Sequence, residues 1–183
     1  VAVATETRPE FFTLYETADA DVMSGADYLA RLNAPTDWTR RATAHFRDTS
    51  RALTRVLASD GPGPGGLLAT LRFLDVPGGQ AALRAAAAAA SSLTQIVRMA
   101  QVTGVHLCAT DIATSAVRTG ESKDRHDVQA APVGALLIEC CNLEPLQAAA
   151  RRALEIIGPS PDASVLGFYR HEHTRLKSGD ATD

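Results

Sequence analysis

The chain of 183 residues contains 45% hydrophobic and 21% charged residues, which predicts a globular protein of one domain, or two small ones, with a buried core. Its formal net charge of -3 argues against a nucleic-acid partner, because such proteins usually carry a basic face. No apolar run approaches the ~20 residues that a membrane-spanning helix needs, so we expect no membrane partner.

The cysteines and the start of the chain bear on its location. The chain contains three cysteines, Cys108, Cys140 and Cys141, and two of them are adjacent. An odd number with two neighbours favours a reducing compartment over a disulfide framework. No signal or transit peptide is visible, and we therefore predict a cytoplasmic protein. The sequence begins at Val1 without a methionine, which suggests a fragment or a processed chain.

The first 60 residues predict the order β-β-α-β. Ser24 is placed to cap a helix that ends near Asn33, and Pro35 breaks that helix. Thr36 can then cap a short helix that carries Trp38, the only tryptophan. The predicted strands of this part are Val1–Thr5, Phe11–Glu16 and Arg51–Ser59.

The rest of the chain predicts the order β-α-β-β-α-β after a glycine- and proline-rich turn at Gly61–Gly66. One helix spans Gln80–Val102, and a second follows a cap at Asn142 and ends at Ile157. The polar, aperiodic segment Ser115–Ala131 is a predicted mobile loop. The predicted strands are Gly66–Leu74, Gly104–Thr110, Val133–Cys141 and Ser164–His173.

The order β-α-β-β-α-β is that of a ferredoxin-like unit, and the first 60 residues show it without the N-terminal strand and helix. We therefore predict an α+β fold of two ferredoxin-like repeats, the first truncated, whose antiparallel sheets form an α+β barrel. The predicted domains are residues 1–60 and 66–176, joined by a linker at 61–65 and followed by a disordered tail at 177–183. A truncated repeat would expose an edge strand, and this edge could pair with a second copy to form a homodimer.

The stretch Phe11–Arg51 resembles bacterial proteins of the dimeric α+β-barrel superfamily, near the EthD-like and stress-responsive A/B-barrel families. The similarity rests on the aromatic FFTLYET, a helix ending in Leu-Asn, the PTDWTRR stretch from Pro35 and the HFR that begins at His45. The resemblance implies two ferredoxin-like sheets packed face to face around a cavity, which a tandem chain can build within itself. Longer members carry an acid/base histidine in an N-terminal stretch that has no counterpart here, so no histidine is carried over.

Successive side chains of a strand point to opposite faces of the sheet, so one face of the predicted sheet contacts the helices and the other faces the cavity. The side chains predicted to face the cavity are Tyr169, His171, His173, His106, Cys108, Thr110 and Glu139, and Tyr15 could lie on either face. Tyrosine, histidine, cysteine and glutamate in one cavity are suited to acid/base chemistry. Ordinary half-buried polar residues would produce the same pattern.

Aromatic and cationic side chains are dense between Tyr28 and Phe46. Helical spacing brings Trp38, Arg41 and His45 to one face, where they could line the mouth of the cavity, with Arg41 binding an anionic group. In the alternative interpretation Trp38 anchors the short helix in the core.

The sequence contains only weak signals for a metal site or a cofactor site. His171 and His173 are alternate residues of a predicted strand, so they could bind a metal ion from one face, and His106 with Cys108 could complete the set of ligands. Neither of the metal-binding motifs CxxC and HExxH occurs. Some relatives in the α+β-barrel superfamily hold haem through a single histidine. Cys108 could be a nucleophile beside His106, although a buried cysteine is more often inert. We predict no metal and no cofactor.

The sequence favours a small-molecule-binding protein that is a cofactor-independent enzyme of catabolic or biosynthetic metabolism. Acid/base chemistry on a hydrophobic or aromatic organic substrate would give an isomerase, a lyase or a cofactor-free oxygenase. The predicted catalytic residues are His45, His106, His171 and Tyr169, and the predicted substrate-binding residues are Tyr15, Trp38, Arg41, Cys108 and Glu139. A non-catalytic ligand-binding or accessory protein of such a pathway is the alternative.

Overall fold

A single antiparallel sheet organises the residues that the computed structural model describes, namely 1–3, 7–19, 21–23, 25–116 and 128–175. Its strands are β1 (Thr54–Asp60), β2 (Leu67–Phe73), β3 (Val102–Thr110), β4 (Gly134–Cys140) and β5 (Ser164–Arg170). They lie side by side in the order β1-β3-β4-β2-β5, and all neighbouring pairs are antiparallel. The predicted α+β class is confirmed.

Two helices precede the first strand, and the longer of the later helices pack on one face of the sheet. The helices are α1 (Ala26–Asn33), α2 (Asp37–Thr43), α3 (Pro77–Ala88), α4 (Ala90–Thr94), α5 (Ile112–Ser115) and α6 (Leu143–Ile157). From β2 to β5 the main elements follow the predicted β-α-β-β-α-β order, with the first and third strands of this unit in its centre, as in a ferredoxin-like unit. Among the described residues, no helix has both the length and the apolar character needed to cross a bilayer.

The core lies between the helices and one face of the sheet. Every second residue of β2, from Leu67 to Phe73, is buried on this face, and Phe73 is 0% exposed. The helices α3 and α6 meet these strand residues largely with alanines, which are Ala82, Ala86, Ala149, Ala150 and Ala153. Because alanine side chains are short, the helices approach the sheet closely and the larger strand side chains fill the space between the layers.

The ends of α6 and the start of α2 follow from local chemistry. Asn142 is the N-cap of α6, and Gly158 ends the helix in the left-handed conformation with φ 61°. The Asn142 side chain bonds to the Gln101 side chain and not to a helix N–H, so the predicted side-chain cap is wrong there. In α2 the predicted cap is confirmed, because the Thr39 N–H donates to Thr36 Oγ1 at 3.1 Å.

The long helix predicted for Gln80–Val102 is wrong. α3 ends at Ala88, α4 follows, and a 3-10 turn at Gln95–Arg98 leads into β3. These bends bury Leu93 and Ile96 in the core, with α4 packed on β1 and the 3-10 turn on β3. Tertiary packing has therefore overridden the helix propensity of the alanine-rich run.

The first 60 residues differ most from the prediction. Phe11–Glu16 forms no strand, and Ala2 makes only an isolated bridge to Tyr169 of β5. β1, predicted to belong to the sheet of a first repeat, pairs with β3 in the same sheet as the second half. The second sheet that a two-repeat barrel requires is not among the described residues, so the barrel is not confirmed.

Some predictions fall on residues outside the described ranges. Ser24, the predicted cap of α1, is one of them, as are residues 4–6 of the predicted first strand. Residues 117–127 of the predicted mobile loop and the predicted tail at 177–183 are the others.

Candidate functional site

The face of the sheet opposite α3 and α6, which we call the open face, carries several polar side chains of the strands. It includes Ser59 of β1, His106 and Cys108 of β3, Glu139 of β4, Thr70 and Arg72 of β2, and Tyr169 of β5. The alternation argument is confirmed for His106, Cys108, Glu139 and Tyr169, because their strand neighbours pack in the core. One face of the sheet therefore collects four of the predicted site residues.

A chain of polar contacts crosses three strands at one end of the open face. Ser59 Oγ lies 2.8 Å from His106 Nδ1, and His106 Nε2 lies 3.6 Å from Glu139 Oε1. The second carboxylate oxygen of Glu139 accepts the Gly65 N–H at 2.7 Å. The His106 side chain is 29% exposed, so the imidazole lies between Ser59 and Glu139 and still reaches solvent.

Two glycines make room for this arrangement. A Cβ on Gly104 would lie 2.9 Å from His106 Nε2, so the absence of a side chain lets the imidazole lie over the β3 backbone. A Cβ on Gly65 would lie 2.5 Å from the Cys140 backbone, and its absence lets the turn between β1 and β2 approach β4. The same turn supplies the N–H that holds Glu139.

Tyr169, at the other side of the open face, is already engaged. Its hydroxyl donates to the Pro9 carbonyl at 3.0 Å, and the Phe12 ring lies 5.6 Å from its own ring. Burial raises the pKa of the Tyr169 hydroxyl, and the charge of Arg72 opposes that shift without cancelling it. Tyr169 thus joins the N-terminal segment to the sheet as a neutral donor, and its hydroxyl is not free for a substrate.

The predicted site residues of the first 60 positions are on the surface. Tyr15, Arg41 and His45 are exposed, and Trp38 is 71% exposed, so Trp38 does not anchor α2 in a core. Among the described residues, no hydrogen bond or ion pair joins these four side chains to the open face.

His171 and His173 are not on a strand, because β5 ends at Arg170. Both are exposed, and His171 Nε2 lies 2.6 Å from the Thr174 hydroxyl. The alternation that suggested a shared face therefore does not apply to them. Within the described ranges, no three histidine, cysteine or acidic side chains cluster closely enough to hold a metal ion.

The cysteines differ in their access to reagents. Cys108 and Cys140 are buried, whereas Cys141 is exposed. Burial raises the pKa of the Cys108 thiol, and a hydrogen bond with the Thr54 side chain opposes this only in part. Because the thiolate is the reactive form, the structure argues against Cys108 as a nucleophile.

We expect iodoacetamide at pH 8 to modify one cysteine rapidly, at Cys141, and the two buried cysteines about tenfold or more slowly. Intact-mass spectrometry of timed samples measures this. Cys141→Ser should remove the fast phase, and Cys108→Ser, the matched control, should leave it intact. Fast modification that persists in Cys141→Ser would contradict the assignment.

Sequence reasoning missed Ser59, Arg72 and Gly65 as parts of this region. The sequence predicts Ser59 at the end of a strand in a different sheet, so it gives no sign that Ser59 lies beside His106. Arg72 was detectable, because it alternates with Leu71 and Phe73 and must face away from the core. Gly65 belonged to a turn interpreted only as a linker.

The fold and the site define an α+β protein with a partly exposed hydroxyl–imidazole–carboxylate chain on one face of an antiparallel sheet. Comparisons with protein-family models, with curated proteins and with solved structures found no match to this chain.

Proposed function

We propose that the open face binds a small hydrophobic or aromatic organic molecule and transfers a proton on it without a cofactor, with His106 as the acid/base group. The reaction class is isomerisation, elimination or cofactor-free oxygenation in a catabolic or biosynthetic pathway. The observation that carries this proposal is the contact chain Ser59–His106–Glu139, at 2.8 and 3.6 Å. The barrel predicted from the family resemblance would enclose this face, and it stays a prediction.

In the proposed mechanism, Glu139 assigns the role of each imidazole nitrogen. Its carboxylate lies beside Nε2, which favours the tautomer that carries the proton there and leaves Nδ1 as the acceptor. In this tautomer the Ser59 hydroxyl donates to Nδ1. A substrate group that reaches Ser59 can pass a proton through the hydroxyl to His106, while Glu139 balances the imidazolium charge.

Unpaired polar atoms on the open face support a ligand with hydrogen-bonding groups. Arg72 Nε and Thr110 Oγ1 are buried and have no hydrogen-bond partner among the described residues. A buried polar group without a partner costs about 1–3 kcal/mol. A ligand, or water that a ligand displaces, would supply the partner.

The exposed position of Ser59 favours a second candidate function, acyl transfer. Hydroxyl, imidazole and carboxylate in this order are the groups of nucleophilic serine catalysis. Covalent modification of Ser59 by a fluorophosphonate would favour this candidate over proton transfer to carbon.

The test of the proposed function is proton exchange in D₂O. We expect the protein to accelerate deuterium incorporation at the acidic C–H of at least one member of a panel of aromatic and aliphatic ketones, enones and phenols, measured by NMR against buffer alone. Exchange reports proton transfer even when the full reaction is unknown. Binding without exchange would support the non-catalytic alternative, and neither binding nor exchange across the panel would overturn the proposal.

A further inference from the structure

The outer edge strand β1 exposes two large apolar side chains and has no strand partner on its outer side among the described residues. Val56 is 63% exposed and Leu57 is 50% exposed, although both lie in a strand. The strand TRVLASD contains neither proline nor lysine, two of the residues by which edge strands avoid pairing. Within the part of the chain that the structure describes, backbone donors and acceptors along this edge are therefore available to another strand.

A bulge in β1 restricts the register of an added strand. The pairing of β1 with β3 shifts between Val56 and Ala58, so Leu57 is the extra residue. As a result, Arg55 and Asp60 both lie on the helix side of the sheet, and Val56 and Ser59 both lie on the open face. Residues directly opposite each other in an antiparallel pair must lie on the same face.

Two central registers of β1 against a second β1 meet this condition for the residues whose face is assigned. One places Thr54 opposite Ser59 and Arg55 opposite Ala58. The other places Arg55 opposite Asp60 and Val56 opposite Ser59, with Leu57 opposite Ala58. The second register is favoured because it joins unlike charges at both ends of the pair, since a two-fold axis repeats the Arg55–Asp60 contact.

We propose that two copies of this chain pair antiparallel along β1 and form a continuous ten-stranded sheet. The two-fold axis is then perpendicular to the sheet, so both open faces lie on the same side of the dimer. Ser59 of one copy lies beside Val56 of the partner subunit. The dimer therefore adds an apolar side chain beside Ser59 at the Ser59–His106–Glu139 site, which suits a hydrophobic substrate. The pairing itself does not rest on the proposed function.

Charge exchange across the interface tests the pairing. Arg55→Asp and Asp60→Arg each place like charges opposite each other, and each should weaken the dimer about tenfold or more. The double variant Arg55→Asp/Asp60→Arg restores unlike pairs and should recover most of the affinity. Sedimentation velocity and native mass spectrometry over a dilution series measure the dissociation constants.

A matched control is Arg170→Asp, an exposed charge at the end of β5 on the opposite edge, which should leave the dimer unchanged. Circular dichroism melts identify a variant that fails to fold, and the double variant keeps the test decisive because it carries both substitutions. A monomeric wild-type protein would overturn the proposal. A dimer that is insensitive to the single reversals, as expected of sheets packed face to face, would also overturn it. These measurements use neither a ligand nor turnover. A result that overturns the dimer therefore leaves the proposed function untouched.

Discussion

Replacing His106 by glutamine is expected to lower the rate of deuterium exchange by about 10²–10⁴-fold, the usual contribution of a positioned acid/base group. Glutamine keeps hydrogen-bonding capacity beside Ser59 and Glu139 but cannot accept the proton. Ligand affinity should change only a few-fold, because the side chain remains polar and similar in size. NMR exchange rates and calorimetric titration with the same compound separate these two quantities.

The other histidines provide matched controls. His45 and His171 are exposed and lie outside the Ser59–His106–Glu139 chain, so His45→Gln and His171→Gln should keep the wild-type exchange rate. Glu139→Gln should lower the rate as well, because it removes the charge beside Nε2. Equal rates for His106→Gln and the wild-type protein would contradict the assignment of the base.

Phe73→Ala is expected to reduce the free energy of unfolding by about 3–5 kcal/mol. Phe73 is completely buried between the sheet and the helices, so the truncation loses apolar burial and leaves a cavity. Urea denaturation followed by circular dichroism gives the change from the midpoint, provided that the slope m is unchanged.

Phe11→Ala is the matched control for that measurement. Phe11 is 64% exposed and lies in the N-terminal part that was predicted to form a strand. We expect a change of about 0.5 kcal/mol or less, as for surface substitutions in general. A loss comparable to that of Phe73→Ala would mean that the N-terminal aromatic residues belong to a core.

The elements from β2 to β5 were predictable because their apolar residues repeat with the period of a strand or a helix. The same alternation assigned His106, Cys108 and Glu139 to one face before their neighbours were known. Helix propensity gave a wrong prediction at Gln80–Val102, because packing outweighs it there. Burial of Leu93 and Ile96 in the core bends the chain. For Phe11–Glu16 the alternating pattern was present, but no neighbouring strand pairs with it among the described residues.

The sequence by itself determined the α+β class and the face on which His106, Cys108 and Glu139 lie, because both depend on contacts between near neighbours in the chain. Only the tertiary structure decided that β1 lies beside β3. Ser59 and His106, which meet in this pairing, are 47 residues apart in the chain. That pairing brings a hydroxyl to the imidazole, and the turn at Gly65 brings an N–H to Glu139. Such long-range contacts depend on which strands meet across the sheet, and the periodicity of a single segment carries no information about that choice.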